Sequence, residues 1–127
     1  MRRVLVYECC PERELSIQAL LEQEDYDLAA CEDGERLLNA VMADKPDAIV
    51  YVFKPECQED IGVLQLLRKF APTTPLVVLA NESSLRVQRL VRELRPIYYA
   101  VAPVEPEEIR SAVQAALGRR QQRAAGA

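Results

Sequence analysis

The sequence predicts a doubly wound α/β domain built on a parallel sheet. Short apolar runs without polar interruption, Val4-Leu5-Val6-Tyr7 and Ala48-Ile49-Val50-Tyr51-Val52-Phe53, read as strands buried on both faces. Between such runs lie segments whose apolar residues recur at i, i+3, i+4, the spacing of a half-buried helix. The alternation repeats five times in 127 residues, a length that suits one core and leaves no room for a second.

Each element has its own local reason. After the first strand, Pro11 suits the first turn of a helix, where its missing N–H costs nothing, and Ile17, Leu20 and Leu21 form the apolar stripe. Tyr26 to Cys31 is a second, weaker strand. Asp33-Gly34 opens a helix with Leu37, Leu38, Val41 and Met42 inward, and Pro46-Asp47 breaks it ahead of the third strand. Beyond a loop with Pro55, a helix places Val63, Leu66, Leu67 and Phe70 on one face. Pro75 to Leu79 is the fourth strand. Asn81 or Ser83 caps the next helix, whose inner face is Val87, Leu90, Val91 and Leu94 and which Pro96 ends. Ile97 to Val101 is the fifth strand. Pro106-Glu107-Glu108 starts the last helix with acids that complement its dipole, and Ile109, Val113, Ala116 and Leu117 face inward. Gly118 reads as its stop, so residues 1–117 form the domain and 118–127 a frayed tail or linker stub.

Five strands alternating with five helices give a (βα)5 unit, and right-handed crossovers leave the flavodoxin-like order 2-1-3-4-5 as the leading topology. Any site then lies at the C-terminal ends of the strands.

Composition removes several function classes. No stretch approaches the about 20 apolar residues of a membrane span, and the N-terminal apolar run is too short for a secretory signal. A cytoplasmic location without membrane association follows as the default. The four cysteines (Cys9, Cys10, Cys31, Cys57) then read as thiols. The absence of histidine removes the commonest general base and the commonest metal ligand together. Sixteen basic against twenty acidic residues give a net charge of −4. Without Arg119, Arg120 and Arg123, residues 1–117 carry thirteen against twenty, a net of −7. An acidic body lacks the cationic cluster that displaces counterions from a phosphate backbone, so no direct nucleic-acid contact is expected.

Tyr7-Glu8-Cys9-Cys10-Pro11, Glu32-Asp33-Gly34, Pro46-Asp47 and Ala102-Pro103-Val104-Glu105-Pro106-Glu107-Glu108 fall at successive strand and helix ends. In this order and spacing the sequence resembles, from about Val4 to Leu117, the CheY-like receiver domain of bacterial response regulators. The resemblance implies a small chemical set. Two acids after the first strand hold Mg²⁺, and an aspartate ending the third accepts a phosphoryl group. A hydroxyl ending the fourth strand and a lysine after the fifth attend that group. Because the nucleophile and the phosphoryl group are both anionic, metal and cation must offset their charge.

This sequence departs from that set at each position. The acidic pair falls on Glu8 and Cys9. The phosphoacceptor falls on Val52 counting from Pro46-Asp47, or on Tyr51 counting back from Pro55. The hydroxyl position is Ala80 and the lysine position Ala102. Glu8 alone is a poor Mg²⁺ ligand set. The reading is a degenerate pseudo-receiver, not an enzyme, without catalytic residues and with no cofactor or metal. Its expected role is that of a protein–protein interaction module in a two-component phosphorelay. Pro103 matches the family's cis-proline position.

Partner contacts are expected on the face of the fourth helix, fifth strand and fifth helix, through Arg86, Arg89, Arg92, Arg95, Tyr98 and Tyr99. Signalling proteins are the expected partners, with homodimerisation as one form of contact. Arginine and tyrosine are enriched at interface hot spots. Tyr99 resembles the aromatic that rotates on activation in receivers. Two alternatives stand beside this reading. One is a thiol-based redox or metal sensor built on Cys9, Cys10 and Cys57. The other is an atypical phosphoacceptor using Tyr51 or Glu8.

Overall fold

The computed structural model describes residues 2–8, 20–21, 26–53, 60–80, 84–101 and 104–126, with the backbone alone at 53, 60 and 119–126. Five strands are present: β1 (Arg3–Glu8), β2 (Asp27–Cys31), β3 (Ala48–Phe53), β4 (Leu76–Ala80) and β5 (Tyr98–Val101). They pair in parallel in the order β2-β1-β3-β4-β5, the order expected. Four helices are described: α1 (Gly34–Asp44), α2 (Asp60–Phe70), α3 (Leu85–Glu93) and α4 (Pro106–Gly126). Of the helix expected after β1, Leu20 and Leu21 are helical and Leu21 is buried; its other residues lie outside the described set.

The sheet separates two apolar layers, because successive strand residues point to opposite faces. On one side Leu5, Tyr7, Ile49, Tyr51 and Val78 pack against Leu37 and Val41 of α1, Leu64 and Leu67 of α2, and Val91 of α3. On the other, Val4, Val6, Val50, Val77 and Leu79 pack against Ile109, Val113, Ala116 and Leu117 of α4. Both faces are covered, which is why the strands read as continuous apolar runs.

Four local expectations are corrected. Met42 is 60% exposed, and α2 buries Leu64 and Leu67 while Leu66 and Phe70 stay open. Both helices carry a second apolar flank beside the buried one, and periodicity does not rank two flanks. The cap of α3 is Ser84, whose Oγ accepts from the Val87 N–H at 3.2 Å. Helix α3 ends at Glu93, so Arg95 lies past it in a left-handed turn with φ 54°. The following Pro96 disfavours helical backbone at that position. Finally, α4 continues through Gly118 to Gly126. Gly118 does not adopt a positive φ, and the Arg, Gln and Ala residues that follow are strong enough helix formers to carry the helix past it.

The N-terminal edge of the sheet is held by polar contacts. Arg3 pairs with Asp27 at 2.7 Å and Asp44 at 2.9 Å. The Arg3 N–H donates to Asp47 Oδ2, and the Asp47 N–H returns a bond to the Arg3 carbonyl, each at 2.9 Å. Asp47 therefore sits at the end opposite the strand C-termini. Among the described residues, no helix is long and apolar enough to cross a membrane.

Candidate functional site

The C-terminal ends of β1, β3 and β4 meet side by side. Glu8, the last residue of β1, lies level with Val52 of β3, and Val52 lies level with Leu79 of β4. Phe53 and Ala80 form the next row. Glu8 is 6% exposed and Val52 7%, so the carboxylate at this edge has an aliphatic side chain beside it. Ala80 closes β4 buried and without a hydroxyl. Among the described residues at these three strand ends, Glu8 is the one carboxylate, and no cluster of three or more His, Cys, Asp or Glu residues could hold a metal ion. The donor set of a single buried carboxylate does not fit Mg²⁺, which takes several oxygens in octahedral geometry.

Tyr51 points the other way. It is fully buried on the face covered by α1, α2 and α3, and its ring stacks on Tyr7 with centroids 4.6 Å apart and planes at 23°. Such an offset pair adds about 0.5–1.5 kcal/mol beyond the area it buries. Its position is that of a core residue under a layer of helices.

Cys31 ends β2 level with Tyr7 and is buried. Burial, with the charge of Asp33 second, pushes its thiol above the usual range, which lowers thiolate character at neutral pH. Cys9, Cys10, Cys57, Ala102 and Pro103 lie outside the described residues.

The expected partner face divides on inspection. Arg86, Arg89 and Arg92 are exposed along α3, as is Arg95 in the turn beyond it. The acids Glu105, Glu107 and Glu108 at the start of α4 are also exposed. Tyr98 and Tyr99 do not share a side. Tyr98 packs with the α4 layer and its hydroxyl donates to Glu108 Oε1, while Tyr99 packs with the α1–α3 layer. Burial, the bond to Glu108 and that carboxylate's charge push the Tyr98 hydroxyl up to about 12.

Sequence reasoning missed Arg68. Its Nε donates to Leu94 O at 2.7 Å and its Nη2 to Arg95 O at 2.8 Å. Its Nη1 reaches Ala71 O at 3.1 Å and Thr74 O at 2.7 Å. One guanidinium thus holds the C-terminal ends of α2 and α3 together beside a cleft of about 320 Å³. A basic residue in the last turn of a helix was the signal available.

No family model matches the chain. It is 31% identical over 103 residues to the alkaline phosphatase synthesis transcriptional regulatory protein PhoP of Bacillus subtilis (strain 168), covering 81% of this chain and 43% of that protein. The chain thus spans less than half the length of that curated relative. Among solved structures it is similar to the signal receiver domain of a modulated diguanylate cyclase from Desulfovibrio desulfuricans G20. There the TM-score is 0.77 at 15% identity, over 97% of this chain and 98% of that one. It is also similar to the Vibrio cholerae chemotaxis protein CheY4, with a TM-score of 0.76 at 18% identity over 92% and 99% of the two chains. Strand order, helix layers and these likenesses agree: the chain has the CheY-like fold of response-regulator receiver domains.

Proposed function

We propose that this chain is a receiver domain of bacterial two-component signalling that does not accept a phosphoryl group and acts in the cytoplasm as a protein-interaction module. The observation that carries the reading is the pairing of Val52 with Glu8 across β1 and β3. Val52 is then the equivalent of the phosphoacceptor, and a hydrocarbon there has no lone pair to attack phosphorus. Ala80 offers no hydroxyl to the same place, and Glu8, the one carboxylate among the described residues of these strand ends, is by itself an inadequate cradle for the divalent ion that the reaction needs. Tyr51 is a poor substitute nucleophile, because a fully buried ring stacked on Tyr7 is closed to a phosphoryl donor.

What remains is surface. The exposed arginines of α3 and the exposed glutamates that open α4 give the α3–β5–α4 face two blocks of opposite charge. Such a face recognises signalling partners, or a second copy, by charge complementarity. Without a ligand that binds two states differently the domain has no phosphorylation-driven population shift, and its output is constitutive.

The test is intact-mass spectrometry after incubation with Mg²⁺ and acetyl phosphate, with and without reductant. The expected result is an unchanged mass in both arms. A phosphoryl adduct overturns the reading. Loss of two hydrogens in the arm without reductant moves the function to the cysteines.

A further inference from the structure

A second surface lies apart from the α3–β5–α4 face. Helices α1 and α2 run parallel, side by side on one layer of the sheet, and touch closely at their start: a Cβ added at Gly34 would come 2.7 Å from Val63 Cγ2. At about 100° per residue, Leu66 and Phe70 fall on the same flank of α2 as Val63, and Met42 falls on the flank of α1 that carries Gly34 and Leu38. The two flanks form one seam. Leu66 is 44% exposed, Phe70 52% and Met42 60%. Single exposed apolar residues need no explanation, but three along one seam do.

Helix α2 carries its own complement within that seam. Gly62, Leu66 and Phe70 are spaced four apart, along one i±4 ridge. Gly62 is exposed, and among the described residues nothing comes within 4 Å of where its Cβ would be. The ridge therefore has a hole at one end, a large exposed ring at the other, and an exposed leucine midway. In a two-fold contact residue i meets j and j meets i. An axis through Leu66, with two copies of α2 antiparallel, sets each Phe70 over the partner copy's Gly62 and brings the two Leu66 side chains together. It also sets the helix dipoles head to tail.

We propose that the α1–α2 seam is a self-association surface filled by a second copy of this chain, α2 against α2, antiparallel about Leu66. The inference stands independently of whether phosphoryl transfer is lost. Each 11-residue helix is about 16 Å long. A contact of that extent falls below the about 800 Å² per partner of a standard interface, so the dimer is weak and concentration-dependent.

Sedimentation velocity of the full chain across a concentration series tests this, with oxidative cross-linking of a Leu66→Cys variant read by peptide mapping. The expected results are reversible dimerisation and a disulfide joining the two positions 66. Gly62→Gln fills the hole with a better helix former, so the fold is retained. It should raise the dimer dissociation constant by about tenfold or more, and Phe70→Glu likewise. A chain that stays monomeric throughout the series overturns the proposal. So does a dimer that survives both substitutions, and a dimer broken by Arg89→Glu but not by Gly62→Gln assigns association to the arginine face instead.

Discussion

Arg68 and Tyr98 show how single side chains join elements that are distant in sequence. Four backbone carbonyls from the ends of α2 and α3 and the turn before β4 depend on the Arg68 guanidinium. Arg68→Met should lower stability by about 2 kcal/mol in urea denaturation, because the freed acceptors are partly buried. Arg68→Lys should recover only part of this, since an ammonium cannot span the planar fork. Equal stability in all three proteins would remove Arg68 from that role. Tyr98 ties β5 to α4 through Glu108. Its hydroxyl titrates at about 12 in the fold against an ordinary 10.0, so the native state holds the proton more tightly than the unfolded chain does. The stability this linkage gives is complete below pH 10.0 and is lost as pH rises towards 12. Glu108→Gln should bring the phenolate absorbance transition of Tyr98 down towards 10.0, with Tyr98→Phe identifying which transition belongs to it.

At the scale of elements, two glycines should respond with opposite sign to the same substitution. Gly118 lies inside α4, does not adopt a positive φ, and its Cβ would meet nothing within 4 Å among the described residues. Gly118→Ala should therefore stabilise the protein by about 0.5–1 kcal/mol. At Gly34 a Cβ would press on Val63 at 2.7 Å, so Gly34→Ala should destabilise despite the better helix former. Thermal unfolding of both variants decides the matter; a destabilising Gly118→Ala would point to the helix stop that the sequence suggested. The strands and their order were legible because both sheet faces are covered, which writes each strand as an unbroken apolar run. What stayed illegible depends on neighbours in space. Leu66 and Phe70 carry the periodicity of buried residues, yet both are exposed. That Tyr51 faces the helix layer while Val52 lies level with Glu8 depends on the register with β1, which sequence spacing alone does not fix. Arg68 acts on carbonyls as far as 27 positions away, which no local pattern records.

Across the whole molecule the two ends of the sheet are built differently. The N-terminal edge is held by the Arg3 pairs with Asp27 and Asp44, the reciprocal bonds between Arg3 and Asp47, and the Arg68 clamp. At the C-terminal edge, where receivers do their chemistry, hydrocarbon from Val52 and Ala80 lies near one buried carboxylate. Restoring an acid there should cost stability. Val52→Asp would place a second carboxylate beside Glu8, in a site 7% exposed. Burial and like charge both raise the folded pKa of the introduced carboxyl above its unfolded value of about 3.9. Its penalty is then smallest at acid pH and grows as pH rises through that window, reaching about 2–4 kcal/mol near pH 7. Val52→Asn carries a similar polar burden without the charge, so its deficit relative to the parent should hardly change with pH. Urea midpoints of the three proteins at about pH 5 and pH 7 measure the difference. A Val52→Asp deficit that is flat with pH would mean that the introduced carboxyl is neither buried nor beside Glu8, and the placement of Val52 at the end of β3 would have to be redrawn.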